Sequence, residues 1–336
     1  MMQKDLLTWP EKLYAGLELA QDFWGQYGQR FAKPFKKIAF VGMGGSGIAG
    51  RIIKTLLDKR SSVTTLIIDG PEIPTCIDSE TLAIVASYSG NTWETLDVLD
   101  GFVKRFIPTI VLAHGGSALE TAEVKNIPFV IIPAALSPRS SLGYSLGLMI
   151  GILDKLGVLP GAQFVQRWID HAHLYLPKYS QQQHFQIFLN LVANEEFFHI
   201  WGVSGDSAAC TYRAQTQFNE NAKVQAVFSV IPELCHNLLV GFSDCKKKPV
   251  VLMASTSFLP PHLELAVEAV GEILIQKGVH LYKMPVLGNT FEDQLFDIIL
   301  WADFASCYLG LIKGVDVVSV KIIEQLKQTH RQKGIR

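Results

Sequence analysis

The segment KIAFVGMGGSGIAGRIIK, residues 37 to 54, decides how the fold is read. Residues 37 to 43 form an apolar run of strand length, and Gly44-Gly45-Ser46-Gly47 follows at once. Residues 48 to 59 then read as a helix, so the stretch predicts a buried strand, a tight glycine turn and a helix. The same alternation continues outward. Residues 63 to 68 predict a second strand that ends at Asp69-Gly70. Residues 81 to 87 predict a third, running into Tyr88-Ser89-Gly90-Asn91-Thr92 and a helix through Val103. Residues 109 to 113 and 129 to 132 are two more apolar strands. Strands alternating with helices imply an α/β fold with a parallel, doubly wound sheet.

The glycine turn admits two chemistries. Gly42, Gly44 and Gly47 fit the spacing GxGxxG after a strand, and Asp69 closes the next strand. That is the dinucleotide fingerprint, and it would make the chain an NAD-dependent dehydrogenase. The other reading is a phosphomonoester cradle around Gly45, in which Ser46 adds a hydroxyl to the backbone N–H groups of a helix N-terminus. Ser87, Ser89 and Thr92 favour the second, because they cluster where the third strand meets its helix. Ordinary helix capping accounts for one such hydroxyl but not for three.

Composition bounds the remaining possibilities. At 336 residues, 49% hydrophobic and 18% charged, the chain can bury a large core and form two domains. A formal net charge of −1 gives no electrostatic footprint for nucleic acid or for a membrane surface. Five scattered cysteines without a CxxC pair suggest reduced thiols in a cytoplasmic protein, and neither they nor the histidines show metal-ligand spacing. The first residues contain acids and do not read as a signal peptide, and the apolar run at 146 to 153 is too short to span a bilayer.

The second half repeats the first in thinner form. Residues 9 to 31 predict a helix before the first domain, and the polar stretch 177 to 184 predicts a boundary. Residues 197 to 203 restart the strand-then-glycine pattern, 249 to 254 and 280 to 284 are further strands, and 292 to 311 is a long apolar helix. The expected organisation is a helical segment over 1–35, domains over 36–176 and 177–315, and a C-terminal helical segment over 316–336. One complete phosphate loop in two copies suggests one site per chain.

A further stretch, RAQTQFNENAKVQAVFSVIPELCHNLLVGF at 213 to 242, carries Glu220 in a polar box and His236 after an apolar run. Pro232 and Glu233 suit a helix N-terminus, which would put His236 on a helix. A carboxylate and an imidazole converging in one cleft would be the two groups that proton transfer near neutral pH requires. A capped loop acid and a surface histidine are the plainer alternative, and spacing alone favours it.

These motifs together carry a resemblance. GMGGSG, SYSGNTWET, PRSSLGY, NENAK, PELCHN and a closing GVD occur in the order found in bifunctional phosphoglucose/phosphomannose isomerases, which are built from sugar-isomerase domains. The resemblance implies two flavodoxin-like parallel-sheet domains in tandem and a cofactor-free aldose–ketose isomerase of glucose 6-phosphate. It implies a phosphate site at Gly45, Ser46, Ser87, Ser89 and Thr92, Glu220 as the base and His236 as the ring-opening group. Arg139 would hold enediolate charge and Lys327 would lie near the sugar. It also implies a homodimer with shared active sites. One departure concerns substrate range: where the family has a threonine thought to assist mannose 6-phosphate, Gly314-Val315-Asp316-Val317-Val318-Ser319 places Val318, with Ser319 one residue later as the alternative source of the hydroxyl. A non-catalytic phosphosugar-binding regulatory protein would keep the serines without needing Glu220 or His236.

Overall fold

The computed structural model describes residues 1–244 and 246–334; of the five cysteines, Cys245 lies outside the described residues. The chain opens with α1 (Met2–Leu6), α2 (Trp9–Tyr27), β1 (Lys37–Val41), α3 (Gly44–Arg60) and β2 (Thr64–Ile68). It continues through β3 (Thr81–Ala86), α4 (Trp93–Lys104), β4 (Thr109–Ala113), α5 (Ser117–Val124), β5 (Phe129–Ile131) and α6 (Leu142–Lys155). After α7 (Ala162–Tyr179) and α8 (Gln186–Val192) come β6 (Phe197–Val203), α9 (Ala208–Gln217) and β7 (Gln225–Ile231). The remainder is β8 (Val250–Met253), α10 (Pro261–Gln276), β9 (His280–Lys283), α11 (Phe291–Ile312) and α12 (Lys321–Gln332).

The chain packs as two compact units. The first comprises Thr8–Asp170 and the chain from Val320; the second comprises Met1–Leu7 and His171–Ser319. Sequence placed its boundaries at 35/36, 176/177 and 315/316, whereas packing divides the chain after Leu7, after Asp170 and after Ser319. The polar stretch at 177 misleads because α7 runs on to Tyr179 with Pro177 inside it, and Tyr179 is buried.

In the first unit five parallel strands lie in the order β2-β1-β3-β4-β5. Every residue of β3 and β4 is buried, which is why these strands read as unbroken apolar runs rather than as alternating ones. On one face Val98, Leu99 and Phe102 of α4 pack with Ala118 and Ala122 of α5 against Val41, Val85 and Val111. The helix expected over 9 to 31 ends at Tyr27 and is followed by a 3-10 turn, Gly28–Phe31. It is part of the first unit and lies against α6, where a Cβ on Gly16 would come within 2.6 Å of the Tyr144 carbonyl oxygen.

The second unit repeats the plan with four parallel strands, β7-β6-β8-β9. Its core gathers Trp201, Val203, Phe242, Val251, Met253 and Leu274. Helix α11 is long and apolar enough to cross a membrane by composition, yet residues 291 to 310 are buried inside the fold. A helix apolar all round serves as the core of such a domain. Two of its buried acids are matched deep in the fold: Asp297 pairs with His171 and accepts the Leu287 and Gly288 N–H groups, and Asp303 pairs with Arg213.

Candidate functional site

Both sheets carry the strand order in which the first and third strands are neighbours, and the connections leave those two strands in opposite directions. Ligands of open α/β sheets bind at that switch point, outside the carboxyl ends of the strands. In the first unit the loops there are 42–47, after β1, and 87–92, after β3. Their approach is close. Tyr88 donates its backbone N–H to Ser46 Oγ at 3.0 Å, and a Cβ on Gly42 would lie 2.8 Å from the Ala86 carbonyl oxygen.

The hydroxyls singled out in the sequence lie at the starts of two helices. Helix α3 begins after Met43 and α4 after Thr92. No side chain caps the first N–H groups of either helix, and the helix dipoles favour an anion there. Ser87 Oγ lies 3.3 Å from Thr92 Oγ1, donating to it, and Ser89 Oγ accepts the Asn91 N–H at 3.3 Å. Ser87 is buried, Ser46 and Thr92 are half-buried, and Ser89 is exposed. The loop is braced from behind by Tyr88, whose ring stacks on His114 at 5.2 Å between centroids and whose hydroxyl accepts the Ala135 N–H at 2.7 Å.

Arg139 belongs to the same neighbourhood. It sits in the 3-10 turn Pro138–Ser141, is 3% exposed, and a Cβ on Gly45 would lie 3.2 Å from its backbone nitrogen. A side chain at position 45 would be tight against that turn. Lys327 lies on α12 and is exposed. Asp69, the acid of the dinucleotide reading, is paired with Arg51. The strand order also differs from the 3-2-1-4-5-6 order of the dinucleotide fold.

The second unit closes its own switch point with protein atoms. The buried Asp206 carboxylate accepts both the Thr256 N–H and the Thr256 hydroxyl. Ser207 Oγ accepts the Val203 N–H at 2.9 Å and donates to the Ala254 carbonyl at 2.6 Å. The thinning of loop hydroxyls seen in sequence is here an internal carboxylate occupying the anion's place.

Glu220 lies elsewhere in that unit, on a π-helical turn, Phe218–Ala222, that extends α9. Single π turns inside α-helices are found at functional sites more often than chance allows. The flanking asparagines are both engaged: Asn219 Oδ1 accepts the Ala226 N–H at 2.8 Å, and Asn221 donates to Ser306 Oγ at 2.9 Å. Lys223 follows with a left-handed backbone, φ 55°, and its ammonium donates to the Glu220 carbonyl. The sequence motif contained this lysine, but nothing in the one-letter string marks a left-handed lysine.

His236 departs from expectation in two ways. It stands in a 3-10 turn, Glu233–His236, and not on a helix, because Asn237 (φ −148°, ψ −69°) separates that turn from the next, Leu238–Phe242. It is also exposed, beside Cys235, whose thiol burial pushes above its ordinary value. The structure does not bring it to Glu220. Glu220 precedes β7 and His236 follows it, and a seven-residue strand spans about 20 Å. Within one chain the two side chains lie at opposite ends of β7.

The fold is that of two sugar-isomerase-type units of the phosphosugar isomerase class. Residues 186–329 match the family described as the bacterial phospho-glucose isomerase C-terminal SIS domain. A bifunctional phosphoglucose/phosphomannose isomerase from Thermoplasma volcanium is 31% identical over 312 residues, covering 89% of this chain and 94% of the relative. One from Caldicellulosiruptor bescii is 28% identical, covering 88% and 90%. Tagatose-6-phosphate ketose/aldose isomerase from Escherichia coli superposes with a TM-score of 0.71 at 12% identity, over 95% of this chain and 96% of the other, a likeness of fold. The chain belongs to the bifunctional phosphoglucose/phosphomannose isomerase family, and it is an isomerase.

Proposed function

We propose that the chain interconverts glucose 6-phosphate and fructose 6-phosphate through a cis-enediol, with mannose 6-phosphate as a weaker substrate, in the cytoplasm and without a cofactor. The observation that carries this reading is the pair of uncapped helix starts at one switch point, furnished with Ser46, Ser87, Ser89 and Thr92. A dianionic phosphate fits hydroxyls and N–H groups without a formal charge beside it, and its binding energy holds the reacting carbons in place. The family relationship supports the same substrate class.

In this mechanism Glu220 takes the C2 proton of the open-chain aldose and returns it to C1, while the hydroxyl proton at C2 moves to the C1 oxygen. The Arg139 guanidinium stabilises the negative charge that develops on the enediolate oxygens. His236 transfers the proton at the ring oxygen when the cyclic sugar opens. Lys327 supplies a cation near the sugar oxygens.

The span of β7 supports a division of labour between copies, with His236 of one chain serving the Glu220 site of another. The apolar side chains of Ile322 and Leu326, one turn apart on α12, are 79% and 54% exposed and suit an interface in a C2 dimer. Mixed dimers provide the test. Chains carrying Glu220→Gln and chains carrying His236→Ala are each expected to be nearly inactive. Unfolded together and refolded, they should regain about a quarter of wild-type activity, because half the dimers then hold one intact site. Two inactive parents whose mixture stays inactive would show that both residues act within one chain.

A further inference from the structure

We infer that Lys223 is a positioning residue that holds the Glu220 turn in register with the chain segment before α12; the inference rests on Glu220 being the base. Three ties fix the turn. Asn219 ties it to the start of β7 and Asn221 to Ser306 of α11, so its place in the fold is secured by two side chains. The Lys223 ammonium makes the third, donating at once to the Glu220 carbonyl and, at 2.8 Å, to the Ser319 carbonyl.

The far anchor is stiff in its own right. Asp316 Oδ1 accepts the N–H groups of Val318 at 2.9 Å and Ser319 at 3.2 Å, which folds the 316–319 segment onto one carboxylate. Lys223 thus connects a rigid turn to a rigid anchor. Its backbone lies at φ 55°, ψ 39°, a region that favours glycine or asparagine at a helix C-terminus. Lysine is a poor choice there on local grounds, and its side chain would ordinarily swing freely in solvent, because the residue is exposed. Strained backbone of this kind persists where the surroundings fix it, and it concentrates at functional sites. What the lysine adds, and neither asparagine provides, is a fixed relation between Glu220 and the 316–319 segment. That segment includes Val318, the position at which substrate range is expected to be set.

The full-length enzyme tests this with three variants, Lys223→Met, Lys223→Gly and Lys223→Arg, assayed on fructose 6-phosphate beside Glu220→Gln. Displacement of a reacting group by about 1 Å costs up to roughly 100-fold in rate, so Lys223→Met should lower kcat by about 10- to 100-fold with KM nearly unchanged. Lys223→Gly relieves the left-handed backbone, so its Tm should equal or exceed wild type while kcat falls as in Lys223→Met. Lys223→Arg keeps a cation and should recover part of the loss. A Lys223→Gly enzyme with wild-type kcat, measured while Glu220→Gln is inactive, would overturn the positioning role alone. Full activity in Glu220→Gln would overturn the base assignment and this inference with it. Loss of kcat that follows loss of Tm across the three variants would reduce Lys223 to a structural residue.

Discussion

Replacing Gly42 with alanine tests the phosphate loop at its tightest point. A Cβ there would lie 2.8 Å from the Ala86 carbonyl oxygen on one side and 3.2 Å from Gly47 on the other. Ordinary contact begins at 3.4 Å, so the Ala86 side alone must open by 0.6 Å (3.4 − 2.8). Ala86 ends the buried strand β3 and cannot recede, so the displaced partner is the 42–47 turn and the start of α3. Such movement carries Ser46 away from Tyr88 and stretches their 3.0 Å hydrogen bond to about 3.6 Å, beyond useful range. Overpacking of this size costs about 1–3 kcal/mol of stability, and separating the loops that share the phosphate should cost about 10- to 100-fold in kcat/KM. Gly44→Ala is the control. Gly44 has φ +51° with open space around it, so the change costs about 1–2 kcal/mol of backbone strain without pushing the loops apart. Steady-state kinetics on fructose 6-phosphate with parallel thermal melts separates the two effects. A Gly42→Ala enzyme whose kcat/KM matches that of Gly44→Ala would refute the claim that the approach of the two loops makes the site.

Three further outcomes follow from particular contacts. Arg213 and Asp303 are 2% and 1% exposed and joined by bonds of 3.1 and 2.8 Å; Arg213→Met alone should cost about 3–5 kcal/mol in urea denaturation, whereas adding Asp303→Leu should recover much of it. Burial holds the His199 imidazole below its ordinary 6.5, and its Nδ1 has no hydrogen-bond partner among the described residues, so the unfolded chain binds that proton first. The associated stability is complete above about pH 6.5 and is lost as pH falls below it; His199→Phe should make the denaturation midpoint less acid-sensitive, and an unchanged slope would count against the assignment. Val318→Thr should raise kcat/KM for mannose 6-phosphate relative to glucose 6-phosphate by about 5- to 150-fold, the worth of one transition-state hydrogen bond, and an unchanged ratio would remove Val318 from substrate choice.

What sequence could reveal tracks how local each cause is. Strands of the first unit were legible because a parallel sheet buries both faces, and residues 109 to 113 read as an apolar run with no competing pattern. The turns after β1 and β3 were legible because glycines and hydroxyls cluster there in the one-letter string. The 3-10 turn at His236 was not, since Pro-Glu-Leu-Cys-His begins like a helix and is broken only by the backbone of Asn237. Nor was the opposite placement of Glu220 and His236 about β7, although strand length alone contained the answer. The close of the switch point by Asp206 depends on Thr256, a partner 50 residues away that no local pattern announces.

That closed switch point bears on stoichiometry. The two units share a strand order and each has a turn after its first strand, so symmetry alone would allow two phosphosugars per chain. Chemistry separates them. In the first unit Ser46 accepts from backbone, which leaves its own proton to donate. In the second the Asp206 carboxylate already accepts from Thr256, and a phosphate entering there would meet a buried negative charge and lose the donors that satisfy it. Titration calorimetry of the Glu220→Gln variant with fructose 6-phosphate should therefore give one site per chain, and Ser89→Ala with Thr92→Ala should weaken it strongly. Two equivalent sites per chain would mean that Asp206 can be displaced, and that the second unit is a binding domain in its own right.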